Sequence, residues 1–235
     1  MLERSLCRVL AAAHAAGVTA LMVDVKMRSP RDGVLIRPER LEHYIVQLLE
    51  GGADALSTVT DPLHFGGSVE AATRIRRITN VPLMRKDFFR TVDQMDQSRN
   101  AGFDAIQLSL STVPDIDLLS AMRDRAEALD MDVVIGVHGM AQLACAVMLG
   151  AVAVGVNNRD IARLELDRGT VEHGTTVLEQ VPEHILSIAE SAFHNGADLA
   201  IAAAVGADAV LIGTAVAQAP DPVEFIRGLR AGVNV

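Results

Sequence analysis

Two lysines close apolar stretches in which a lysine has no packing role. Lys26 ends "TALMVDVK" (19–26) and Lys86 ends "VPLMRK" (81–86). Burying an unpartnered ammonium is costly, so each must meet solvent, a counter-ion or a ligand. Two ammonium groups facing one cavity disfavour each other's charged form, and partial burial pushes the same way. Such a pair can supply a proton near neutral pH. Asp24 stands two residues before Lys26, on the same face of an extended strand, where it can hold Lys26 charged. Asp87 is adjacent to Lys86, so its side chain points away from it. A salt-bridged rim without chemistry is the competing reading.

Other polar residues also follow apolar runs. "AESAFHNG" (189–196) supplies Glu190 and Ser191, and "LIGTAVAQ" (211–218) supplies Gly213 and Thr214. A glycine that lets backbone approach closely, beside hydroxyl donors, suits a phosphate. Ser29, followed by Pro30, can reach the same anion from the first loop. Asn157, Asn158 and Arg159 offer amides and a guanidinium to a polyhydroxyl or carboxylate ligand; a turn with a surface arginine is the alternative. Phe65 and Phe88 can wall an apolar pocket. His138 reads as a polar strand-end residue, and with no second His or Cys at ligand spacing no metal site is expected.

The elements that must position these groups are visible as a repeat. "GADAL" begins at Gly52, "GFDAI" at Gly102, "GAVAV" at Gly150 and "GADAV" at Gly206, spaced by about fifty residues, the length of two strand–helix units. Each glycine fits a helix stop, where a left-handed conformation is needed. The apolar runs over 19–26, 54–59, 81–86, 104–110, 132–138, 152–158, 184–191 and 208–213 read as eight strands. Helix-like segments cover 37–50, 68–78, 91–101, 115–128, 140–149, 194–204 and 221–230. Strands this continuous in apolar residues are covered on both faces. The expectation is an α/β fold, a single (β/α)8 TIM barrel over 1–235 with a short N-terminal helix. A doubly wound open sheet is the alternative. In a parallel barrel every strand end lies at one rim, so the polar residues gather at the mouth where catalytic groups of this fold sit, and the loops after the seventh and eighth strands form the usual phosphate site.

Composition narrows the function classes. The 235 residues carry a formal charge of −9, with a sequence pI near 5.2, which argues against a general nucleic-acid surface. Aromatics make up 3% and tryptophan is absent, so the core is aliphatic. Cys7 and Cys145 lie too far apart for a metal motif or a disulfide framework, and a reducing cytoplasm fits. No apolar run approaches the roughly 20 residues that span a bilayer. A monomer or weak homodimer acting on a small phosphorylated substrate, with no nucleic-acid or membrane partner, is the expectation.

The stretches "DVKMRSP", "TDPLHFGGS", "LMRKDFF", "GVNNRDI", "AESAF" and "GADAVLIGTAV" occur in order, each on its own strand end. Together they resemble the indole-3-glycerol phosphate synthase family of tryptophan biosynthesis, over about residues 19 to 230. The resemblance implies a cofactor-free lyase that closes an indole ring on a carboxyphenylamino-deoxyribulose phosphate, losing CO2 and water. It implies Lys86 as general acid on the carbonyl oxygen and Lys26 at the substrate carboxylate and reacting oxygen. Asp24 stands where the family usually has glutamate. Asn157 and Arg159 would hold substrate polar groups, and Glu190 would support the lysines or a proton transfer. Ser29, Ser191, Gly213 and Thr214 would surround the phosphate, with Ala192 where the family prefers glycine. Phe65, Phe88 and Pro30 would line the slot for the ring.

Three further departures fall at the same site. The fifth strand reads "GVH", with Gly136 where the family has a glutamate that assists dehydration; His138 shares its face. Gln107 replaces a leucine against the ring and makes the slot more polar. The segment ahead of the first strand is shorter than usual. The retained lysines imply an active enzyme with altered specificity or a curtailed reaction, such as a diverged paralogue in specialised metabolism. A non-catalytic phosphate-ligand-binding barrel is the remaining alternative.

Overall fold

The computed structural model describes residues 4–159 and 171–233. Eight parallel strands close into a barrel: β1 (Ala20–Val25), β2 (Ala55–Val59), β3 (Leu83–Lys86), β4 (Ala105–Ser109), β5 (Asp132–Val137), β6 (Ala153–Asn157), β7 (Leu186–Glu190) and β8 (Ala209–Ile212). Closure runs through β8 beside β1, with Ala20 opposite Ala209 and Val23 opposite Ile212, so the sheet has no open edge. That excludes the doubly wound alternative.

The two-residue period of a strand sorts the side chains into two cores. Ala20, Met22, Ala55, Met84, Ala105, Val134, Ala153, Ile188, Ala209 and Leu211 fill the lower barrel interior. Alternate residues such as Leu21, Val23, Leu56, Leu83, Ile106 and Ile135 face the helices in a second, larger core. Leu6 and Leu10 of α1 (Leu6–Ala15) are fully buried in the interior cluster, so the N-terminal helix plugs the end opposite the mouth. Apolar side chains thus fill the lower layers and leave the strand tops to polar groups.

The repeated glycines behave as their spacing predicts. Gly52, Gly102, Gly150 and Gly206 all have φ between 72° and 96°, the left-handed region that stops a helix without a Cβ clash. The aspartate two residues on has a separate task. Asp54 accepts from the Leu21 N–H at 2.8 Å, Asp104 from Leu83 at 3.0 Å and Asp208 from Ser187 at 2.7 Å. Each carboxylate therefore satisfies a strand-start amide next door. Burial raises the Asp104 carboxyl above its ordinary value, against the opposing pull of Arg76 and Arg4.

The helices anticipated from the sequence are present as α2 (Leu41–Gly51), α3 (Val69–Ile78), α4 (Asp93–Asn100), α5 (Ile116–Ala128), α6 (Met140–Met148), α8 (Gly196–Ala204) and α10 (Pro222–Val233). Side-chain caps start several of them, including Ser68 for α3, Asp115 for α5 and Asn195 for α8. Helix α7 (Val171–Leu178) was not legible: "VEHGTTVL" mixes a glycine with β-branched residues, which weakens helix propensity. A hairpin pairing Arg28–Ser29 with Gly33–Val34 also escaped the pattern, being too short to show a period. Asp160 and Ile161 of the "GVNNRDI" stretch lie outside the described residues. Among the described residues no helix is long and apolar enough to cross a membrane.

Candidate active site

Continuing the inward register upward from the apolar layers gives a polar ring at the strand tops. Asp24 and Lys26 rise from β1 and Lys86 from β3, all lining one cavity at the mouth. Gln107 and Ser109 of β4, Gly136 of β5 with His138 just past its end, and Asn157 of β6 continue the lining around the barrel. Arg159, Ser191, Ala192, Gly213 and Thr214 line the same cavity from the loops, and Phe65 and Phe88 close it on the β2 and β3 side.

Glu190 lies beneath this lining. Its side chain is 0% exposed, and it accepts from Lys86 Nζ at 2.8 Å through Oε2 and from Gln107 Nε2 at 2.6 Å through Oε1. Each carboxyl oxygen thus accepts one bond in a dry setting, and both donors come from the cavity wall. The crossing is possible because two neighbouring positions lack side chains. A Cβ at Gly155 would stand 2.2 Å from Glu190 Oε1 and 2.6 Å from Gln107 Nε2. One at Gly136 would stand 3.2 Å from Gln107 Nε2 and 3.3 Å from the Ser109 Cα. The vacancy at Gly136 is therefore already covered by Gln107 and Ser109.

On the opposite side of the barrel, Lys26 Nζ lies 3.6 Å from Asp24 Oδ2, both side chains 7% exposed. Ser57, next in the β2 register, donates to the other Asp24 oxygen. The Lys26 ammonium also sits 6.0 Å from the Phe65 ring centroid, at the edge of cation–π range. Gly213 lets the eighth loop press against this pair, since a Cβ there would lie 3.1 Å from the Asp24 Cβ. The two lysines thus have separate carboxylate partners on one cavity.

The loop after β7 is held in an uncommon conformation. Ser191 (φ 68°) and Ala192 (φ 63°) are consecutive non-glycine residues in the left-handed region, which costs roughly 1–2 kcal/mol each. Asn158 fixes the turn by donating to the Ser191 carbonyl at 2.9 Å while accepting from the Gly174 N–H at 2.9 Å. Helix α9 (Thr214–Gln218) starts immediately after Gly213 on the adjacent loop. Backbone amides and the Ser191 and Thr214 hydroxyls surround this end of the cavity.

The structure redistributes several sequence-based assignments. Arg85 alternates with Lys86 and faces the helices. It is 3% exposed, bonded to Asp87, Thr60 and Ser98, and stacked 5.2 Å from the Phe89 ring. Asp87 spends its carboxylate there, turned from Lys86 as expected. Asn158 ties loops together, as described above. Ser29 is buried in the hairpin, where its hydroxyl donates to Asp32 at 3.2 Å; neither it nor Pro30 lines the cavity. Arg31, at the hairpin tip, does line it, ion-paired to Asp32 at 3.1 Å. Sequence reasoning also missed Ser109, Ser111 and Thr112. Ser109 was findable, since it lies two residues beyond Gln107 on the same face.

His138 Nδ1 lies 2.9 Å from the Asn157 carbonyl oxygen, which can only accept, so Nδ1 carries the proton. Asn157 in turn accepts from the Arg159 N–H at 2.9 Å. Among the described residues no cluster of His, Cys, Asp or Glu is arranged to hold a metal ion.

These features define a (β/α)8 barrel with a lysine–carboxylate cavity at the carboxyl ends of its strands. The sequence profile of indole-3-glycerol phosphate synthase matches residues 2–229, and the chain belongs to that family. The indole-3-glycerol phosphate synthase of Thermococcus kodakarensis is 33% identical over 210 residues, covering 89% of this chain and 91% of its own. That of Haloarcula marismortui is 37% identical over 220 residues, covering 91% and 77%. Among solved structures, the 3-hexulose-6-phosphate synthase of Salmonella typhimurium superposes with a TM-score of 0.74 over 92% of this chain and 99% of its own; at 15% identity this likeness concerns the fold.

Proposed function

We propose that the cavity closes an indole ring on a carboxyphenylamino-deoxyribulose phosphate or a close analogue, with Lys86 as the general acid. The observation that carries this reading is the Lys86 ammonium fixed by buried Glu190 at the floor of a cavity that also holds Lys26. An aryl carbon attacks the ketose carbonyl carbon, and Lys86 protonates the carbonyl oxygen as the carbon–carbon bond forms. The ring carboxylate leaves as CO2, its bonding pair restoring the ring. The hydroxyl created from the carbonyl then takes a proton from Lys86, recharged from solvent, and departs as water, while the neighbouring methylene carbon loses a proton to form the indole double bond.

Lys26, held by Asp24, binds the substrate carboxylate and steadies the reacting oxygen. Asn157 and Arg159 orient the sugar hydroxyls. Ser191, Ala192, Gly213 and Thr214 enclose the phosphate with hydroxyls and close backbone, Ser29 and Pro30 shape the hairpin that brings Arg31 to the cavity, and Phe65 and Phe88 together wall one face of the ring. Glu190 holds the Lys86 side chain in position through their 2.8 Å contact.

Gly136 favours a second reading within the same chemistry. The mouth end of the fifth strand offers no carboxylate for the final loss of water, so the reaction stops at the decarboxylated alcohol or proceeds slowly. One assay separates the readings: mix the protein with the carboxyphenylamino substrate and follow CO2 release and indole fluorescence. Indole that disappears with Lys86→Ala supports full ring closure. CO2 without indole supports the curtailed reaction. Binding without turnover, indifferent to Lys86→Ala, overturns both in favour of a binding barrel.

A further inference from the structure

The two walls of the ring slot differ in chemistry. Phe65 and Phe88 form one, their centroids 6.4 Å apart and their planes tilted by 31°. Beside them around the barrel, the inward positions at the tops of β4 and β5 are Gln107, Ser109, Gly136 and His138, none of which carries an apolar side chain. This wall also has hydrogen-bonding capacity to spare. The Glu190 carboxylate fixes the Gln107 amide with its nitrogen inward, and the Gln107 carbonyl oxygen accepts from no described residue. The Ser109 hydroxyl accepts from the Ser111 N–H at 3.3 Å but donates to no described residue. The Ser111 hydroxyl accepts from Gln142 Nε2 at 3.1 Å and likewise donates to none.

A plain aryl edge laid here would strip water from one acceptor and two donors without replacing it, at roughly 1–3 kcal/mol per group. A phenolic hydroxyl donates and accepts at once, and so matches the Gln107 oxygen and the Ser109 hydroxyl together. From this we infer that the ring of the bound substrate carries a hydroxyl on the edge facing β4. The inference rests on the aryl-substrate reading given above, and it names the substrate class: a hydroxylated carboxyphenylamino-deoxyribulose phosphate. Gly136 belongs to the same arrangement. A side chain there would occupy the contact distance of Gln107 and Ser109 and close the polar wall.

Calorimetric titration tests this without turnover. The ligands are substrate analogues whose ketone is reduced to an alcohol, so that they cannot cyclise: the unsubstituted carboxyphenyl compound and its isomers with one hydroxyl at each free ring position. One hydroxylated isomer should bind at least about tenfold tighter than the unsubstituted compound. Ser109→Ala should remove that preference, in part by binding the unsubstituted compound more tightly than the parent protein does, and Gln107→Leu should remove it as well. If the unsubstituted compound binds as tightly as every isomer, or the preference survives both substitutions, the inference is overturned and the ring-closing reading stands. If no analogue binds, the ring-closing reading falls and the inference falls with it. Thermal melts of both variants show whether they remain folded.

Discussion

Lys86 Nζ and Glu190 Oε2 meet at 2.8 Å, although 104 residues separate them in the chain. One is a cavity-lining cation and the other a fully buried anion. Removing the lysine alone leaves a buried carboxylate with only the Gln107 amide, a loss of about 3–5 kcal/mol. Lys86→Met should therefore lower both stability and turnover, the latter by about 10²–10⁴-fold. Lys86→Met combined with Glu190→Gln should recover most of the stability and none of the activity. Denaturant melts beside CO2 release read the two effects separately; recovery of activity in the double variant would remove Lys86 from the chemistry.

Gly155 is the position where the floor has no tolerance. An added Cβ would lie 2.2 Å from Glu190 Oε1, so Gly155→Ala must displace the carboxylate or the strand. Overpacking of this kind costs about 1–3 kcal/mol. The expected result is a lower denaturation midpoint together with a loss of turnover comparable to that of Glu190→Gln.

Restoring a glutamate on the fifth strand should fail by itself. The Gly136 position is crowded at 3.2 Å by Gln107 Nε2 and at 3.3 Å by Ser109. Gly136→Glu should leave indole formation unimproved, whereas Gly136→Glu with Gln107→Ala should raise indole formation relative to CO2 release. The ratio of the two products in one assay is the measurement.

Ala192 holds φ 63° where a glycine would sit without steric cost. Ala192→Gly should raise unfolding free energy by about 1 kcal/mol, because the left-handed strain outweighs the added freedom of the unfolded chain. Urea melts decide this; destabilisation would mean that the Ala192 methyl, 7% exposed within the loop, contributes more by packing than the strain costs.

Cys7, near the plugging helix's start, has its thiol pushed up to about 12 by burial and by the neighbouring Asp132 carboxylate. At pH 8 its thiolate fraction is then about a thousandfold below that of the same thiol in the unfolded chain, and iodoacetamide should label it correspondingly slowly. The sign for stability follows. Above pH 9 the unfolded chain loses this proton while the folded chain keeps it, so stability falls as pH rises from 9 towards 12. Cys7→Ala should flatten that alkaline decline, as followed by melts across the range.

Much of the fold was legible because barrel physics writes itself locally. Glycine stops such as Gly52 and Gly206 need a positive φ, and strands covered on both faces need continuous apolar runs; both leave a trace in composition and spacing. The hairpin at Arg28–Ser29 and helix α7 left none, being too short or too mixed in propensity.

The sequence by itself determined which strand tops carry Lys26, Lys86, Asn157 and Glu190, since alternation fixes the face of every residue on a paired strand. Only the closed barrel decided their partners. Lys86 reaching Glu190, Gln107 crossing above Gly155, and Arg85 turning outward to Asp87 and Ser98 all depend on strands far apart in the chain being brought within a few ångströms. Short-range propensities carry no record of that proximity; closing the sheet creates it.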